Sequence, residues 1–326
     1  MAWTNLGRTT LIAEAGLNHD GSLATALHLV GAAAIAGADA VKFQTFRADR
    51  LVARRRPEWE LFRQWELPPE AWRELAREAA RLDLELMSTP FDEDSLALLV
   101  DLGVKRIKVA SGDLTYLPLL RAVAHTELPV LLSTGMSGLG EIEQAVSCLE
   151  ESGAGEITLL HCVSAYPCPA PALNLRAMDT LRSAFGLPVG LSDHTLGTAA
   201  AVAAVARGAV VVEKHFTLDR GAPGPDHALS LDPETFRQLV NDVRFVEAAL
   251  GDGRKALQAC EEPSRRFGRR ALHASRDLPA GHRLELEDLE ALRPADGLPP
   301  QALSVVVGRK LRRALISGEP VTWEDV

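Results

Sequence analysis

Two histidines, His194 and His215, sit at the ends of consecutive short apolar runs, Pro188–Leu191 with its Ser192-Asp193-His194 extension and Val210–His215. Neighbouring strands of a sheet lie about 4.8 Å apart, so imidazoles at equivalent strand ends can grip one metal ion. Two protein ligands leave positions for water and substrate, as a catalytic site requires. Lys42 and Lys108 end similar runs. With Thr89, Ser111, Ser133 and Ser192 they compose an anion pocket, in which the ammonium groups bring charge and the hydroxyls bring directed donors for a phosphate or carboxylate. The plainer reading of Lys42 is a pair with Glu14 or a side chain snorkelling to solvent. His161, Asp193 and His19 are further candidate ligands better suited to supporting roles. Cys162 reads as a small packed hydrophobe, Pro223–His227 as a rigid turn, and Arg265, Arg266, Arg269 and Arg270 as a solvated face.

The elements that position these residues alternate. Apolar, β-branched runs recur at Thr10–Gly16, Ala40–Phe46, Leu84–Ser88, Arg106–Ala110, Pro129–Ser133, Ile157–Val163, Pro188–Leu191 and Val210–His215. Between them lie stretches of helical spacing such as Leu23–Ala36, Pro69–Leu82 and Glu141–Glu151. Gly37, Gly103, Gly153, Gly186 and Gly208 follow helical patterns as C-caps. Eight strand–helix units imply a parallel sheet with helices outside, and eight closes a (β/α)8 TIM barrel of about 250 residues. An open doubly wound sheet is disfavoured, because no Gly-rich fingerprint follows the first strand. In a barrel the chemistry sits at the C-terminal strand ends, and there every run delivers polar groups. The expected organisation is a barrel over 1–250, a polar linker over 251–268, and a small mainly-β module over 269–326.

Lys and Arg total 35 against 44 Asp and Glu, for a net charge of −9, and 47% of residues are hydrophobic. The balance predicts a large core and argues against nucleic acid or an anionic membrane as partner. The most apolar window, Thr198–Val212, is broken by Arg207 and falls short of the roughly 20 residues a membrane span needs. Cys148, Cys162, Cys168 and Cys260 form no C-x-x-C pair, and Met1–Arg8 has no secretory pattern, so a cytoplasmic location is expected.

Several motifs in register resemble the sialic acid synthase family. They are Ile12-Ala13-Glu14-Ala15-Gly16-Leu17-Asn18-His19, Val41-Lys42-Phe43-Gln44-Thr45, Ser88-Thr89-Pro90-Phe91-Asp92 and Ala110-Ser111-Gly112-Asp113. Leu132-Ser133-Thr134-Gly135, Gly190-Leu191-Ser192-Asp193-His194, Glu213-Lys214-His215 and Pro223-Gly224-Pro225-Asp226 follow. The tail from Arg269, with Leu292-Arg293-Pro294, is similar to the antifreeze-like (SAF) domain that ends these enzymes.

The resemblance implies condensation of phosphoenolpyruvate with an N-acylated hexosamine such as N-acetylmannosamine, giving a nine-carbon 2-keto-3-deoxy acid and phosphate. It implies a divalent cation, Mn2+ or Mg2+, on His194 and His215, which join Glu14 as catalytic residues. Lys42, Thr89, Lys108, Ser111, Ser133, Ser164 and Ser192 correspond to phosphoenolpyruvate contacts. Gln44, Asp113, Tyr166 and Asp226 correspond to sugar contacts, and Arg293 to an arginine donated by the partner in a domain-swapped homodimer. Asp113 and Ser164 stand where some members carry glutamate and asparagine. The intact Ser111-Gly112-Asp113 pattern favours a neuraminate- or legionaminate-type product over a pseudaminate-type one. Two alternatives stay open: a related synthase using a phosphorylated sugar, suggested by the arginines in the loop Arg47–Arg56, and a non-catalytic sugar-binding barrel.

Overall fold

The computed structural model describes residues 8–326, which divide into two compact units, 8–251 and 252–326. In the first unit eight parallel strands run β1 (Thr10–Gly16), β2 (Ala40–Thr45), β3 (Glu85–Pro90), β4 (Ile107–Val109), β5 (Val130–Ser133), β6 (Ile157–Cys162), β7 (Val189–Asp193) and β8 (Val211–His215). Their lateral order is β3-β2-β1-β8-β7-β6-β5-β4. β1 pairs with both β2 and β8, so first and last strands are neighbours and the sheet curls into a nearly closed TIM-type barrel. An open doubly wound sheet is thereby excluded.

Helices follow the strands and form the outer layer. Leu23–Ala36 is capped by Ser22, whose hydroxyl accepts from the Thr25 amide, and it stops at Gly37, which has φ +85°. Such a left-handed residue ends a helix at little cost only when it lacks Cβ. Pro69–Arg81 and Leu139–Glu151 occupy the predicted helical stretches.

Side chains alternate along each strand, and this alternation builds two cores. Leu11, Ala13, Val41, Phe43, Val109 and Leu132 pack outward against the helices, while Ile12, Ala40, Met87, Leu131, Leu160 and Val211 fill the barrel interior. Gly190 belongs to this inner layer: a Cβ there would lie 2.5 Å from the Val211 carbonyl oxygen and 2.7 Å from Leu160 Cδ2. One further two-residue step toward the C-terminal end of each strand changes the inward residue from apolar to polar. Ile12 is succeeded by Glu14, Ala40 by Lys42, Met87 by Thr89, Leu131 by Ser133, Leu160 by Cys162 and Val211 by Glu213. The fold thus stacks a dry apolar floor beneath a ring of chemistry.

The second unit has its own core of Leu272, Leu278, Leu284, Leu298, Val306, Leu311, Leu315 and Val321. An antiparallel pair, β9 (Ala271–Ala274) and β10 (Leu289–Leu292), and three isolated antiparallel bridges hold it together. The stretch read as a polar linker, 251–268, contains a helix, Glu262–Gly268, with Pro263 near its start; Pro at this position needs no amide partner. Among the described residues no helix is long and apolar enough to cross a membrane.

Candidate active site

The polar ring opens into a cavity of about 560 Å3 at the C-terminal end of the barrel. At its base two lysines and two carboxylates interlock. Lys42 Nζ lies 2.8 Å from Glu14 Oε2 and 3.6 Å from Glu213 Oε2, and Lys108 Nζ lies 3.9 Å from Glu213 Oε1. All four are buried. Lys42 also donates to Thr89 Oγ1 at 3.1 Å, and Ser192 Oγ donates to Glu213 Oε1 at 2.8 Å. The pairing of Lys42 with Glu14 is therefore real, yet both residues line the cavity.

Protonation follows from this packing. Burial pushes the Glu213 carboxyl up, but Lys108 and Lys42 more than offset it and bring it down to about 2. Glu14 has a weaker share of cation: burial, opposed by Lys42 and reinforced by Glu213, raises it to about 7. Burial pulls Lys42 down, and Glu14 and Glu213 overcome it, leaving the ammonium raised; Lys108, with one carboxylate near, ends lowered by burial. Two carboxyl groups in one cavity are thus driven in opposite directions, a signature of sites that move protons.

Glu213 is the cavity residue hardest to single out from the sequence, where it is the first of three consecutive ionisable groups. Strand parity decides among them. Counting in twos from Val211 puts Glu213 and His215 inside and Lys214 outside, where Lys214 Nζ lies 2.7 Å from Asp193 Oδ2. The same count removes Asp193 and His161 from the cavity: His161 Nε2 donates to the Leu173 carbonyl at 2.6 Å. His19 Nδ1 accepts from the Gly21 amide, and its ring, driven down to about 4 chiefly by burial, shapes the first loop.

His194 and His215 face one another with ring centroids 5.3 Å apart. His194 Nδ1 lies 2.9 Å from the Val163 carbonyl. A carbonyl only accepts, so Nδ1 carries the proton; burial lowers the ring's pKa, but Cys162 and the Val163 carbonyl overcome it and leave it raised, and Nε2 presents a lone pair once the ring has given up its second proton. Burial, then His194, drives His215 down to about 3, so its ring is neutral as a ligand must be. Its Nδ1 is buried without a hydrogen-bond partner, 3.7 Å from Asp226 Oδ2. An orphaned imidazole nitrogen beside a second imidazole and a carboxylate fits a cation, although among the described residues no group of three His, Cys, Asp or Glu side chains forms a ready-made metal cage. Water and substrate oxygens would complete the coordination.

Around this centre the end of β5 and the loops after β4 and β6 bring hydroxyls. Ser133 Oγ is buried and unpartnered, and Ser111 Oγ accepts from the Gly135 amide at 3.0 Å. Gly135 makes the cluster possible, since a Cβ there would lie 2.4 Å from Ser164 Oγ and 2.8 Å from Ser111 Oγ. Cys162, expected as mere packing, also lines the cavity, with Sγ 3.9 Å from His194 Nδ1. Gln44 Nε2 donates to Glu14 Oε1 at 3.3 Å, Tyr166 stacks on His194 with centroids 4.2 Å apart, and Asp226 comes from the loop after β8. Asp113 is not in the lining: it ends the turn Ser111–Asp113, with Oδ2 buried and unpartnered and its carboxyl raised by burial to about 6. Arg293 belongs to the second unit, where it is exposed and precedes a cis proline. Among the described residues no arginine lines the cavity; of those in the loop after β2, Arg54 pairs with Asp49 and Arg56 with Glu58.

Fold and rim together define a TIM-barrel protein whose polar centre sits at the C-terminal mouth, followed by a small β module. The NeuB family model matches residues 29–255, and the SAF domain model matches residues 269–326. The chain belongs to the NeuB family of sialic acid-type synthases and is an enzyme of that family with a C-terminal SAF domain. It is 43% identical to the N,N'-diacetyllegionaminic acid synthase of Legionella pneumophila over 97% of this chain and 94% of the relative. The enzyme of the same name from Campylobacter jejuni is 40% identical over 93% and 95% of the two chains. Among solved structures, the N-acetylneuraminic acid synthetase of Leptospira borgpetersenii superposes with a TM-score of 0.75 at 36% identity, covering 79% of this chain and 90% of that one.

Proposed function

We propose that this enzyme condenses phosphoenolpyruvate with an N-acylated hexosamine and water, giving a nine-carbon 2-keto-3-deoxy acid of the neuraminate or legionaminate type and phosphate. The observation that carries the reading is the interlocked quartet Glu14, Lys42, Glu213 and Lys108 beneath a ring of hydroxyls. Its two buried ammonium groups are placed to meet the carboxylate and phosphate of one small ligand.

In this reading Lys42 and Lys108 exchange their carboxylate partners for the ligand's anionic groups, while Ser111, Ser133, Ser164, Ser192 and Thr89 orient the phosphate and carboxylate oxygens. Gln44, Tyr166 and Asp226 hold the sugar in its open form, with Asp113 supporting them from behind the turn. Carbon 3 of the enol attacks the aldehyde carbon, and carbon 2 then accepts a water and releases phosphate. Glu14, raised to about 7, holds a transferable proton beside the reacting aldehyde. His194 and His215 would hold a divalent cation, Mn2+ or Mg2+, which when bound supplies Lewis-acid polarisation of the aldehyde oxygen. Arg293 reaching the sugar from a domain-swapped partner is part of the same proposal.

A phosphorylated sugar is disfavoured. Its second phosphate would need cations of its own, and among the described residues the lining offers no Lys or Arg beyond Lys42 and Lys108. The test is phosphate release with phosphoenolpyruvate and N-acetylmannosamine, its 6-phosphate, or a 2,4-diacetamido hexose. Release requires both substrates and an unphosphorylated sugar, and chelator abolishes it. Sugar binding without phosphate release would instead favour a non-catalytic barrel.

A further inference from the structure

His227 joins the loops that follow the first and the last strand of the barrel. Its ring is buried, and both nitrogens are engaged. Nδ1 lies 2.7 Å from Thr217 Oγ1, within the loop after β8, and Nε2 lies 3.3 Å from Asp20 Oδ2, in the loop after β1. A carboxylate only accepts, so Nε2 carries a proton and donates it across the gap. Gly224 rests on the same ring: a Cβ there would stand 2.7 Å from Cδ2 and 3.2 Å from Nε2. A second link runs beside the first. Asn18 Nδ2 donates to the Phe216 carbonyl at 2.9 Å and to Ser230 Oγ at 3.0 Å, and Ser230 Oγ donates to the Asp226 carbonyl at 2.6 Å. Between Gly224 and His227 stands Asp226. Its carboxylate comes within 3.7 Å of His215 Nδ1 and has no other hydrogen bond or ion pair among the described residues. The backbone on either side, held by the His227 ring, therefore sets where that carboxylate points.

Resting on the synthase reading, in which Asp226 holds the sugar, we propose that His227 is a positioning residue: bridged to Asp20, it fixes the loop after β8 so that Asp226 meets the sugar. A ring that merely filled its own loop would need Thr217 and Gly224 but no carboxylate from the loop after β1. Asp20 stands at φ +50°, a conformation that glycine adopts at lower cost, so its side chain rather than its backbone suits it to the position. A hydrogen bond to a charged group is stronger than a neutral one, and this one ties together loops more than 200 residues apart in the chain. Holding Asp226 in place before the sugar arrives spares the ordering cost at the moment of binding.

The test measures KM for phosphoenolpyruvate and for the N-acyl hexosamine that supports phosphate release, together with amide hydrogen exchange over 217–231, in Asp20→Gly, Asp20→Asn, His227→Gln and His227→Asn. Asp20→Gly suits the backbone and removes the carboxylate from a side chain that is 42% exposed, so the barrel still folds. It is expected to raise KM for the sugar roughly tenfold, to leave KM for phosphoenolpyruvate as in wild type, and to quicken exchange across 217–231. Asp20→Asn still offers Nε2 an oxygen and should keep most of the sugar affinity. The His227 variants separate the two bonds: the terminal amide of glutamine reaches where Nε2 stands and that of asparagine where Nδ1 stands, so His227→Gln should lie closer to wild type. Should the His227 variants fail to fold, the Asp20 pair decides alone. An unchanged sugar KM or unaltered exchange in Asp20→Gly, or both KM values rising together, overturns the positioning role and leaves the synthase reading intact. So does His227→Asn matching wild type while His227→Gln is impaired. Absence of phosphate release from the wild type with every sugar sinks the synthase reading and the positioning role with it.

Discussion

Glu14 and Lys42 face each other across one rung of the β1–β2 ladder, and their charged atoms meet at 2.8 Å inside the barrel. Neither side chain reaches solvent by more than 2% of its surface, so each depends on the other for its ionised state. Lys42→Met leaves Glu14 without its cation and Glu213 with Lys108 alone. Removing one partner of a buried pair typically costs about 3–5 kcal/mol. Urea denaturation should show a loss of that order, and the double variant Lys42→Met with Glu14→Leu should recover part of it. Equal stability of Lys42→Met and wild type would mean that the quartet is not a coupled unit.

Glu14 also sets a pH dependence. Its carboxyl is raised to about 7, so it is largely protonated below that pH and ionises as pH rises through it. Each ionisation adds a buried negative charge beside the site of a polyanionic ligand. KM for phosphoenolpyruvate should therefore rise between about pH 6 and pH 8, and the rise should be absent in Glu14→Gln. The stability contribution has the matching sign: a carboxyl held above its ordinary value of 4.5 favours the folded state at low pH, and that contribution is lost between 4.5 and about 7. Parallel pH profiles in wild type and Glu14→Gln would assign the dependence to the ligand's own phosphate.

Gly135→Ala should harm ligand binding more than folding. The new Cβ would crowd Ser164 Oγ and Ser111 Oγ, the free ends of small side chains that can rotate away. The backbone is tolerant here, because Gly135 is not among the positive-φ residues. Rotation removes hydroxyls that the proposed function assigns to the phosphate, and a lost hydrogen bond to a charged group is worth roughly tenfold or more in affinity. KM for phosphoenolpyruvate should rise by about that factor with little change in the denaturation midpoint. A large stability loss with unchanged KM would show that the cluster is merely packing.

The imidazole pair yields a prediction that does not depend on turnover. Mn2+ titrated into the chelator-treated enzyme should bind with an altered electron paramagnetic resonance spectrum, and His215→Ala should weaken that binding at least tenfold. Deleting one of the two proposed protein ligands would remove half the protein's grip. Undiminished Mn2+ binding by His215→Ala would place the cation elsewhere.

Much of this architecture is legible in the sequence because barrel strands are short and buried on both faces. Their apolar runs stand out between helical stretches, and polar residues closing the runs mark the mouth. What was harder to read lies in orientation. His161, Asp193 and Lys214 have the right chemistry at the right strand ends, but their parity turns them outward; Cys162 and Glu213, one step away, are turned in. Counting from the innermost apolar residue of each run would have separated them. The helix Glu58–Trp65 was obscured by the arginines before it, although Glu58, Leu61, Phe62 and Trp65 already hold helical spacing. Asp113 shows the opposite failure: a motif position adjacent to the site whose side chain is drawn under the turn.

The outward pair supports the site from behind, which leads to a last prediction. Lys214 Nζ bonds Asp193 Oδ2 and the Thr195 carbonyl, and Asp193 Oδ1 accepts from the Thr195 amide. These bonds pin both sides of His194 to β8, the strand that carries His215. Lys214→Met strands a buried carboxylate and should lower stability by about 3–5 kcal/mol. It should also free the segment Asp193–Thr195 and so change the separation of the two imidazoles. Asp193→Asn in the Lys214→Met background removes the stranded charge and should restore stability, but not the tether. If the tether matters, the double variant folds as well as wild type and still binds Mn2+ more weakly; wild-type Mn2+ binding by the double variant would confine Lys214 to a structural role.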